Sequence, residues 1–207
     1  MSNSLLRTPR STERLLLDEL THRVNNELAT AIAIASVEIA RAKSEELKIS
    51  LARIRRSLGG FARVHQVLRA PDLRTRVDAC AYLRALCAAI CVARLEPLGI
   101  ELQFVETPLR LDSEQCWRLG FIVTELVTNA SRHAFVKRAG SITVEAWCDG
   151  GGVQCRVSDD GQGAQRSTPG HGLRIIDGLL RDLNGRLEGQ TGANGSTFTV
   201  SFPKAVA

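Results

Sequence analysis

The N-terminal third of the chain carries an apolar repeat that a pair of long helices can bury. Over residues 12–43, apolar side chains recur in steps of three and four, at Leu17, Leu20, Val24, Leu28, Ala31, Ala35 and Ile39. A second stripe with the same spacing runs over residues 45–69. Because the turn near Ser44 is short, the two helices are expected to be antiparallel neighbours. Each helix alone buries only one stripe, so we expect two copies of the chain to form a four-helix bundle, a homodimer through the hairpin.

One histidine of the first helix lies off this apolar stripe. His22 is two positions from both Leu20 and Val24, and two residues turn a helix by about 200°. The imidazole is therefore expected to face solvent, where its neutral ring nitrogen can act as a nucleophile. Glu19 and Asn26, one turn before and one turn after, are placed to orient the ring. The alternative is an ordinary solvated surface histidine.

A second polar stripe is predicted on an amphipathic helix near residue 125. Glu125, Asn129 and the pair Arg132–His133 follow one another at intervals of one turn. The opposite side is apolar and suits packing on a sheet. A carboxylate and a carboxamide on one wall, with a cation beside them, suit a magnesium-bound polyphosphate. The alternative is a surface helix whose polar side is merely hydrated.

Three segments that contain glycine follow this helix in the chain. An apolar alternation enters the turn Asp159–Gly163, the segment Gly170–Leu173 opens a helix, and Gly195–Thr197 enters a last strand. Glycines let backbone N–H groups approach phosphate, and a helix N-terminus favours negative charge. The Asp159 carboxylate can accept a hydrogen bond from an exocyclic amine such as that of adenine. A single Gly-x-Gly is usually just a turn, but the four segments in this order are specific.

These segments resemble the ATP-binding GHKL (Bergerat) fold shared by gyrase, Hsp90, histidine kinases and MutL. Residues 125–135 resemble its N box, 159–163 and 170–173 its two glycine boxes, and 195–197 its final Gly-x-Thr element. The segment Glu19–Leu28, with its His-Arg-Val-x-Asn sequence, resembles the phosphoacceptor box of sensor histidine kinases of the HisKA_2 subgroup, which is related to the HWE kinases. The resemblance covers residues 12–203, nearly the whole chain.

This resemblance implies an α+β fold with two working parts. Residues 11–70 would form the antiparallel helical hairpin for dimerisation and histidine phosphotransfer, after a flexible tail at 1–10. Residues 78–207 would form the ATP-binding catalytic domain, an α/β sandwich with helices on one face of a mixed sheet. Residues 71–77 would be the linker.

The resemblance also implies an ATP-dependent histidine protein kinase of a two-component system. His22 would be the phosphoacceptor, and Glu125 would hold the metal or its water, or act as a base. Mg²⁺ would be held by Asn129 through ATP. The residues implied to bind the nucleotide are Asn129, Arg132, His133, Asp159, Gly161, Gly163, Gly170, Gly172, Leu173 and Thr197. The phosphoryl group would pass to an aspartate in the receiver domain of a response regulator.

The segment between the two glycine boxes departs from the family pattern. In the family it covers ATP and is longer, whereas here it is only residues 164–169. A short polar cover predicts a more exposed and more weakly held nucleotide. Two rival hypotheses stay open: a histidine phosphotransfer relay protein whose GHKL domain no longer hydrolyses ATP, and a Ser/Thr kinase of the anti-sigma type. The presence of Asn129 and Asp159 favours the kinase over the relay, and the hairpin histidine favours it over the Ser/Thr kinase.

Composition narrows the remaining partners and the compartment. The net charge is +5, but the basic residues are dispersed and aromatic residues make up only 4%, so no nucleic-acid partner is expected. The apolar stretches are too short for membrane insertion, and Met1–Arg10 has no signal-peptide core, so a cytoplasmic protein is expected. No recognisable sensor module precedes the hairpin, so we expect a partner protein or an upstream kinase to control the chain.

Overall fold

The computed structural model describes residues 9–69, 75–135, 138–162 and 171–205. Gly163, Gly170 and the segment 164–169 lie outside the described residues, as do most of the expected tail and linker. The described helices, strands and short helical turns are, in chain order, α1 (Pro9–Arg41), α2 (Glu45–Val67), β1 (Arg76–Asp78), α3 (Ala79–Ile90), a π-helical segment (Cys91–Leu95), a 3₁₀ turn (Glu96–Leu98), β2 (Ile100–Val105), β3 (Arg110–Asp112), α4 (Ser113–His133), β4 (Gly140–Asp149), β5 (Gly152–Asp159), α5 (His171–Asp182), β6 (Arg186–Gly192) and β7 (Gly195–Pro203).

The two N-terminal helices pack against each other as the predicted hairpin. Ser44 begins α2, because its side-chain oxygen accepts a hydrogen bond from the backbone N–H of Leu47 at 3.4 Å. Within one chain, only part of the predicted apolar stripe of α1 is buried. Ala35 is buried, whereas Leu20 and Val24 are 58% and 39% exposed. Among the described residues, neither these helices nor any other is long and apolar enough to cross a membrane.

The second part of the chain is a five-stranded sheet with helices on one face. The strand order is β2-β4-β5-β7-β6, in which β2 and β4 are parallel and the other neighbours antiparallel. Alternate residues of β4 and β5 are buried in the core shared with α4: Ile142, Val144, Ala146, Val153, Cys155 and Val157. This period of two is what one covered face requires. The predicted fold class, a helical hairpin followed by an α/β sandwich with a mixed sheet, is confirmed.

A small second sheet closes the sandwich where the linker was expected. Strand β1 pairs antiparallel with β3, so that Arg76 lies opposite Asp112. Just before it, the carbonyl of Thr75 accepts a hydrogen bond from the N–H of Ser113 at 2.8 Å. Residues 75–77 are therefore part of the sandwich rather than of the linker 71–77. A strand this short is stabilised by its partner and carries little pattern of its own.

The hairpin is docked on the sandwich through α2, which packs on α3 and the π-helical segment. At Gly60 the two backbones come close, since a Cβ there would lie 2.5 Å from the Ala93 nitrogen. At the end of α2, the indole N–H of Trp117 donates to the Leu68 carbonyl at 2.7 Å. This contact joins the hairpin directly to α4, the helix that carries Glu125.

Candidate active site

The polar stripe predicted near residue 125 lies on α4, at the edge of the core. The opposite side of the helix, which includes Leu126, is buried against the sheet. Glu125 and Asn129 are partly buried, whereas Arg132 and His133 are exposed in the last turn of the helix. Cations in the last turn are also favoured by the helix dipole. This side of α4 therefore has a partly buried carboxylate and carboxamide, with exposed basic residues at its C-terminal end.

The start of α5 lies against this side of α4. A Cβ placed on Gly172 would lie 2.6 Å from Glu125 Oε2 and 3.7 Å from Asn129 Nδ2. Leu173 is partly buried and packs against the core, which holds the helix start in place. The structure thus brings the second glycine segment and the Glu–Asn stripe to one place. A side chain at position 172 would displace the Glu125 carboxylate or the start of α5.

Asp159, at the end of β5, forms the other end of the candidate site. Its Oδ1 accepts hydrogen bonds from the N–H of Gly161 at 3.0 Å and of Ser196 at 3.3 Å. Burial raises the pKa of the Asp159 carboxyl, and the hydrogen bonds from Gly161 and Ser196 offset this in part. Two backbone donors fix Oδ1, so Oδ2 is the oxygen left to accept from a ligand amine.

Two glycines let the backbone close around Asp159. Gly161 is buried against Ala134, at the end of α4, where a Cβ would collide with the Ala134 carbonyl. The N–H of Gln162 donates to that same carbonyl at 3.0 Å. Gly195 has φ +126°, a conformation that L-residues avoid, and a Cβ there would collide with the Asp159 carbonyl. The first glycine turn is therefore attached to the C-terminal end of α4.

The neighbouring carboxylate, Asp160, binds to β4 rather than to the candidate site. Its side chain accepts from the N–H of Ser141 at 2.8 Å and from the Ser141 hydroxyl at 3.1 Å. The guanidinium of Arg138 donates to the Asp160 carbonyl at 2.7 Å. The backbone hydrogen bond from Ser141 holds the pKa of Asp160 below its usual value. Asp160 ties the turn to β4, and Asp159 remains the carboxylate of the site.

Ser196, rather than the predicted Thr197, lies beside Asp159. In the register of β5 and β7, Asp159 lies opposite Ser196, and Ser158 lies opposite Thr197. Side chains alternate between the faces, so Thr197 is on the open face with Ser158, away from Asp159. The Ser196 hydroxyl is a further hydrogen-bond partner of the carboxylate and helps to lower its pKa. Ser196 can be identified as the partner of Asp159 only from the pairing of β5 with β7.

His22 lies on the exposed side of α1, as its spacing predicts. Of the two residues expected to orient it, Glu19 instead accepts a hydrogen bond from Arg23 Nε at 2.9 Å. Both partners of that pair are well exposed, so it contributes little to stability. The imidazole is accessible for reaction with an incoming group.

An acceptor for an exocyclic amine at one end, a Glu–Asn wall at the other and glycines along the backbone form one site between α4 and α5. On a sandwich with one covered face, this site defines an ATP-binding domain of the GHKL class. A hairpin with an exposed histidine is attached to it.

Comparison with known protein families shows which family of GHKL proteins this chain resembles. Residues 93–201, more than half of the chain, match the family described as a histidine kinase-like ATPase domain. Residues 19–93 match the HisKA_2 family, described as histidine kinase. The chain therefore belongs to the histidine kinase family.

Individual relatives agree with this assignment. The sensor histidine kinase PdtaS of Mycolicibacterium smegmatis is 28% identical over 200 residues, covering 88% of this chain and 38% of PdtaS. Blue-light-activated histidine kinase 2 of Erythrobacter litoralis is 26% identical over 201 residues, covering 90% of this chain and 56% of that protein. The chain thus spans between about two fifths and just over half of these relatives. The histidine kinase domain of the Erythrobacter litoralis EL346 blue-light activated kinase has the same fold, with a TM-score of 0.62, 23% identity, and coverage of 88% of this chain and 96% of that chain.

Proposed function

We propose that this chain is an ATP-dependent protein-histidine kinase of a two-component system. It phosphorylates His22 from Mg-ATP and passes the phosphoryl group to an aspartate in the receiver domain of a response regulator. The observation that carries the proposal is the contact of Gly172 with Glu125 and Asn129, which brings the N-terminus of α5 against the Glu–Asn stripe of α4. Family membership supports the same activity.

The site has a direction along α4. Asp159 is attached through Gly161 to Ala134, just beyond the helix, whereas Glu125 lies nine residues earlier. Nine residues of helix span about 13 Å. We therefore place the adenine at Asp159 and the phosphates toward Glu125, because the partly buried Asp159 carboxylate suits an acceptor for an amine.

The remaining side chains have roles that follow from this direction. Asn129 holds Mg²⁺, which neutralises charge on the phosphates, and Glu125 holds the metal's water or acts as a base. Arg132 and His133 lie toward the adenine end of this axis and are proposed to contact the phosphate nearest the nucleoside. Gly161 fixes Asp159 through its N–H, and Gly172 lets the start of α5 approach the phosphates. Gly163 and Gly170, outside the described residues, are proposed to act in the same way, and Leu173 anchors the helix start. Most of the rate enhancement would come from positioning and charge stabilisation.

The transfer to His22 is a direct displacement at phosphorus. An unprotonated ring nitrogen forms a bond to the γ-phosphorus as the bond from that phosphorus to the β–γ bridging oxygen breaks, and the electron pair leaves on ADP. The ring proton then passes to a base. In the second transfer an aspartate oxygen of the receiver domain takes the phosphoryl group and the His22 ring is restored. We place both steps in the cytoplasm, where ATP is supplied.

The active form is proposed to be a homodimer through the hairpin. The exposed residues Leu20, Val24 and Ile34 share a face of α1, and Ile34 is 59% exposed. The partly buried residues Thr21 and Asn25 each follow a residue of this face in the sequence, so they lie about 100° around the helix axis from it. Each helix of a four-helix bundle contacts two neighbours on adjacent faces, so the exposed face suits the second hairpin.

The test is phosphorylation of the purified full chain with radiolabelled ATP and Mg²⁺. We expect an acid-labile, base-stable label that His22→Ala abolishes and Asn129→Ala nearly abolishes. Gln103→Ala, exposed on the edge strand β2, is the control and should keep the label. Label that survives in His22→Ala would contradict the acceptor assignment. A wild type that takes no label from ATP but accepts it from a phosphorylated receiver domain would show a relay instead.

A further inference from the structure

Arg94 lies at the seam between the hairpin and the sandwich, in the π-helical segment. Its guanidinium carbon is 4.9 Å from the centroid of the Phe61 ring of α2, a cation–π distance. The residue before that ring, Gly60, has no Cβ and lets α2 approach the backbone at Ala93. Gly60 thus allows α2 to approach the π-helical segment, and Phe61 supplies the aromatic ring that contacts Arg94. Helical segments of π type are rare and occur frequently at functional sites.

The same guanidinium is electrically coupled to the candidate active site. Burial lowers the pKa of Arg94, the charge of Arg132 lowers it further, and the Glu125 carboxylate raises it. The π-helical segment that carries Arg94 packs on α4. Glu125 and Arg132 are seven residues apart on that helix, about 10 Å, with Asn129 between them. Among the described residues, no carboxylate forms an ion pair with Arg94. Arg94 and Arg132 are two cations near one carboxylate, Glu125, so the charge balance of this stretch favours a further anion.

The acceptor histidine lies at the same level of the hairpin. Helix α1 ends at Arg41 and α2 begins at Glu45, so antiparallel packing places residue 22 beside about residue 64. Residue 64 is one turn from Phe61, the seat of the guanidinium. The histidine and the guanidinium are therefore near the same level along the hairpin.

We propose that Arg94, seated on Phe61, is a catalytic residue that binds the γ-phosphoryl group as it moves from ATP to His22. This inference rests on the proposed kinase function. The guanidinium stabilises the negative charge spread over the equatorial oxygens while the nitrogen–phosphorus bond forms and the bond to the ADP oxygen breaks. It donates hydrogen bonds and transfers no proton. Docking of α2 then completes the active site, because the ring that holds the cation belongs to the hairpin.

The test compares four variants of the full chain by initial phosphorylation rate at saturating ATP and by KM for ATP. Arg94→Gln is expected to lower the rate about 100-fold, as for loss of one transition-state donor, and to change KM less than about threefold. Arg94→Lys, which keeps the charge, should recover to within about tenfold of wild type. Phe61→Leu keeps the side chain apolar but loses the ring face, and should lower the rate roughly tenfold. Arg56→Gln, which breaks the Arg56–Glu96 pair at the same seam, should stay within about twofold of wild type.

The outcomes separate this inference from the proposed function. A wild-type rate in Arg94→Gln would overturn the role of Arg94 alone. Equal losses in Arg94→Gln and Arg56→Gln, with equally lowered melting temperatures, would also overturn it, since a purely structural seam predicts that result. If the wild type forms no phosphohistidine, the kinase function itself has failed, and the inference fails with it.

Discussion

Gly172 stands directly over the carboxylate of Glu125, so that a Cβ at position 172 would come within 2.6 Å of Glu125 Oε2. Gly172→Ala must therefore displace the carboxylate or the start of α5. We expect the phosphorylation rate to fall about 100-fold, because a displacement of about 1 Å at a reacting centre has an effect of that order. The rate of phosphohistidine formation and the Kd for ATP measure the change.

The same helix provides the control. A Cβ added at Gly178 would have no other atom within 4 Å, so Gly178→Ala meets open space. We expect it to raise the free energy of unfolding by about 0.5–1 kcal/mol, since alanine is the better helix former, and to leave the rate unchanged. A similar loss of activity in both variants would show that α5 tolerates no substitution and that the Glu125 contact is not the cause.

Two adjacent glycines of α2 make opposite predictions for stability. A Cβ at Gly60 would press on the Ala93 backbone, whereas at Gly59 it would meet nothing within 4 Å. Gly60→Ala is expected to lower the free energy of unfolding by about 1–3 kcal/mol through overpacking at the docking contact. Gly59→Ala should raise it by about 0.5–1 kcal/mol. Urea unfolding of the two variants decides, and changes of the same sign would contradict the docked position of α2.

The affinity for the adenine moiety should depend on pH through Asp159. The ionised carboxylate is the form that accepts from an amine, and its pKa is raised by burial above the ordinary value of 3.8. As the pH falls from 7, binding of adenosine, which has no phosphate to titrate, should therefore weaken earlier than for an ordinary aspartate. Asp160→Asn should keep this dependence, because the pKa of Asp160 is lowered and that group stays ionised over the range. An unchanged pH profile in Asp159→Asn would contradict the assignment.

The same pKa shift predicts the stability of Asp159→Asn. A carboxyl whose folded pKa lies above its unfolded value contributes stability at low pH, which is lost as the pH rises through the folded pKa. At pH 7 the buried charge is thus unfavourable for folding of the free protein. An asparagine oxygen can still accept from Gly161 and Ser196, so the variant should melt at the wild-type temperature or above while losing adenosine binding. Calorimetry at pH 7 measures this, and a marked loss of stability would refute it.

The dimer prediction depends on the exposed face of α1. Ile34 lies on that face and is 59% exposed, and Leu98 is 55% exposed on the sandwich, in the 3₁₀ turn. We expect Ile34→Asp to shift the protein to monomer in light scattering, because a charge cannot be buried unpaired between hairpins. Leu98→Asp should leave the assembly unchanged. Dissociation by both or by neither would argue against a bundle formed through this face.

Features with a local cause could be predicted from the sequence, and features set by distant partners could not. The hairpin, the outward side of His22 and the stripe on α4 follow from helical spacing within one segment. The family resemblance implied that the second glycine segment faces the Glu125 helix, but the contact between Gly172 and Glu125 itself was not predicted. The strand Arg76–Asp78 was missed because its pairing with β3 determines it. The role of Arg94 depends on a ring 33 positions earlier, which no local pattern reveals.

Ser196 and Thr197 show the same limit and allow a direct test. Both are hydroxyl residues after Gly195, but the register places only Ser196 beside Asp159. Ser196→Ala removes the hydroxyl bond to the carboxylate and should weaken ATP binding about three- to tenfold, the effect of one hydrogen bond. Thr197→Ala changes the open face of the sheet and should bind ATP as the wild type does. A larger effect at Thr197 would mean that β7 is shifted by one residue against β5, since such a slip exchanges the two faces.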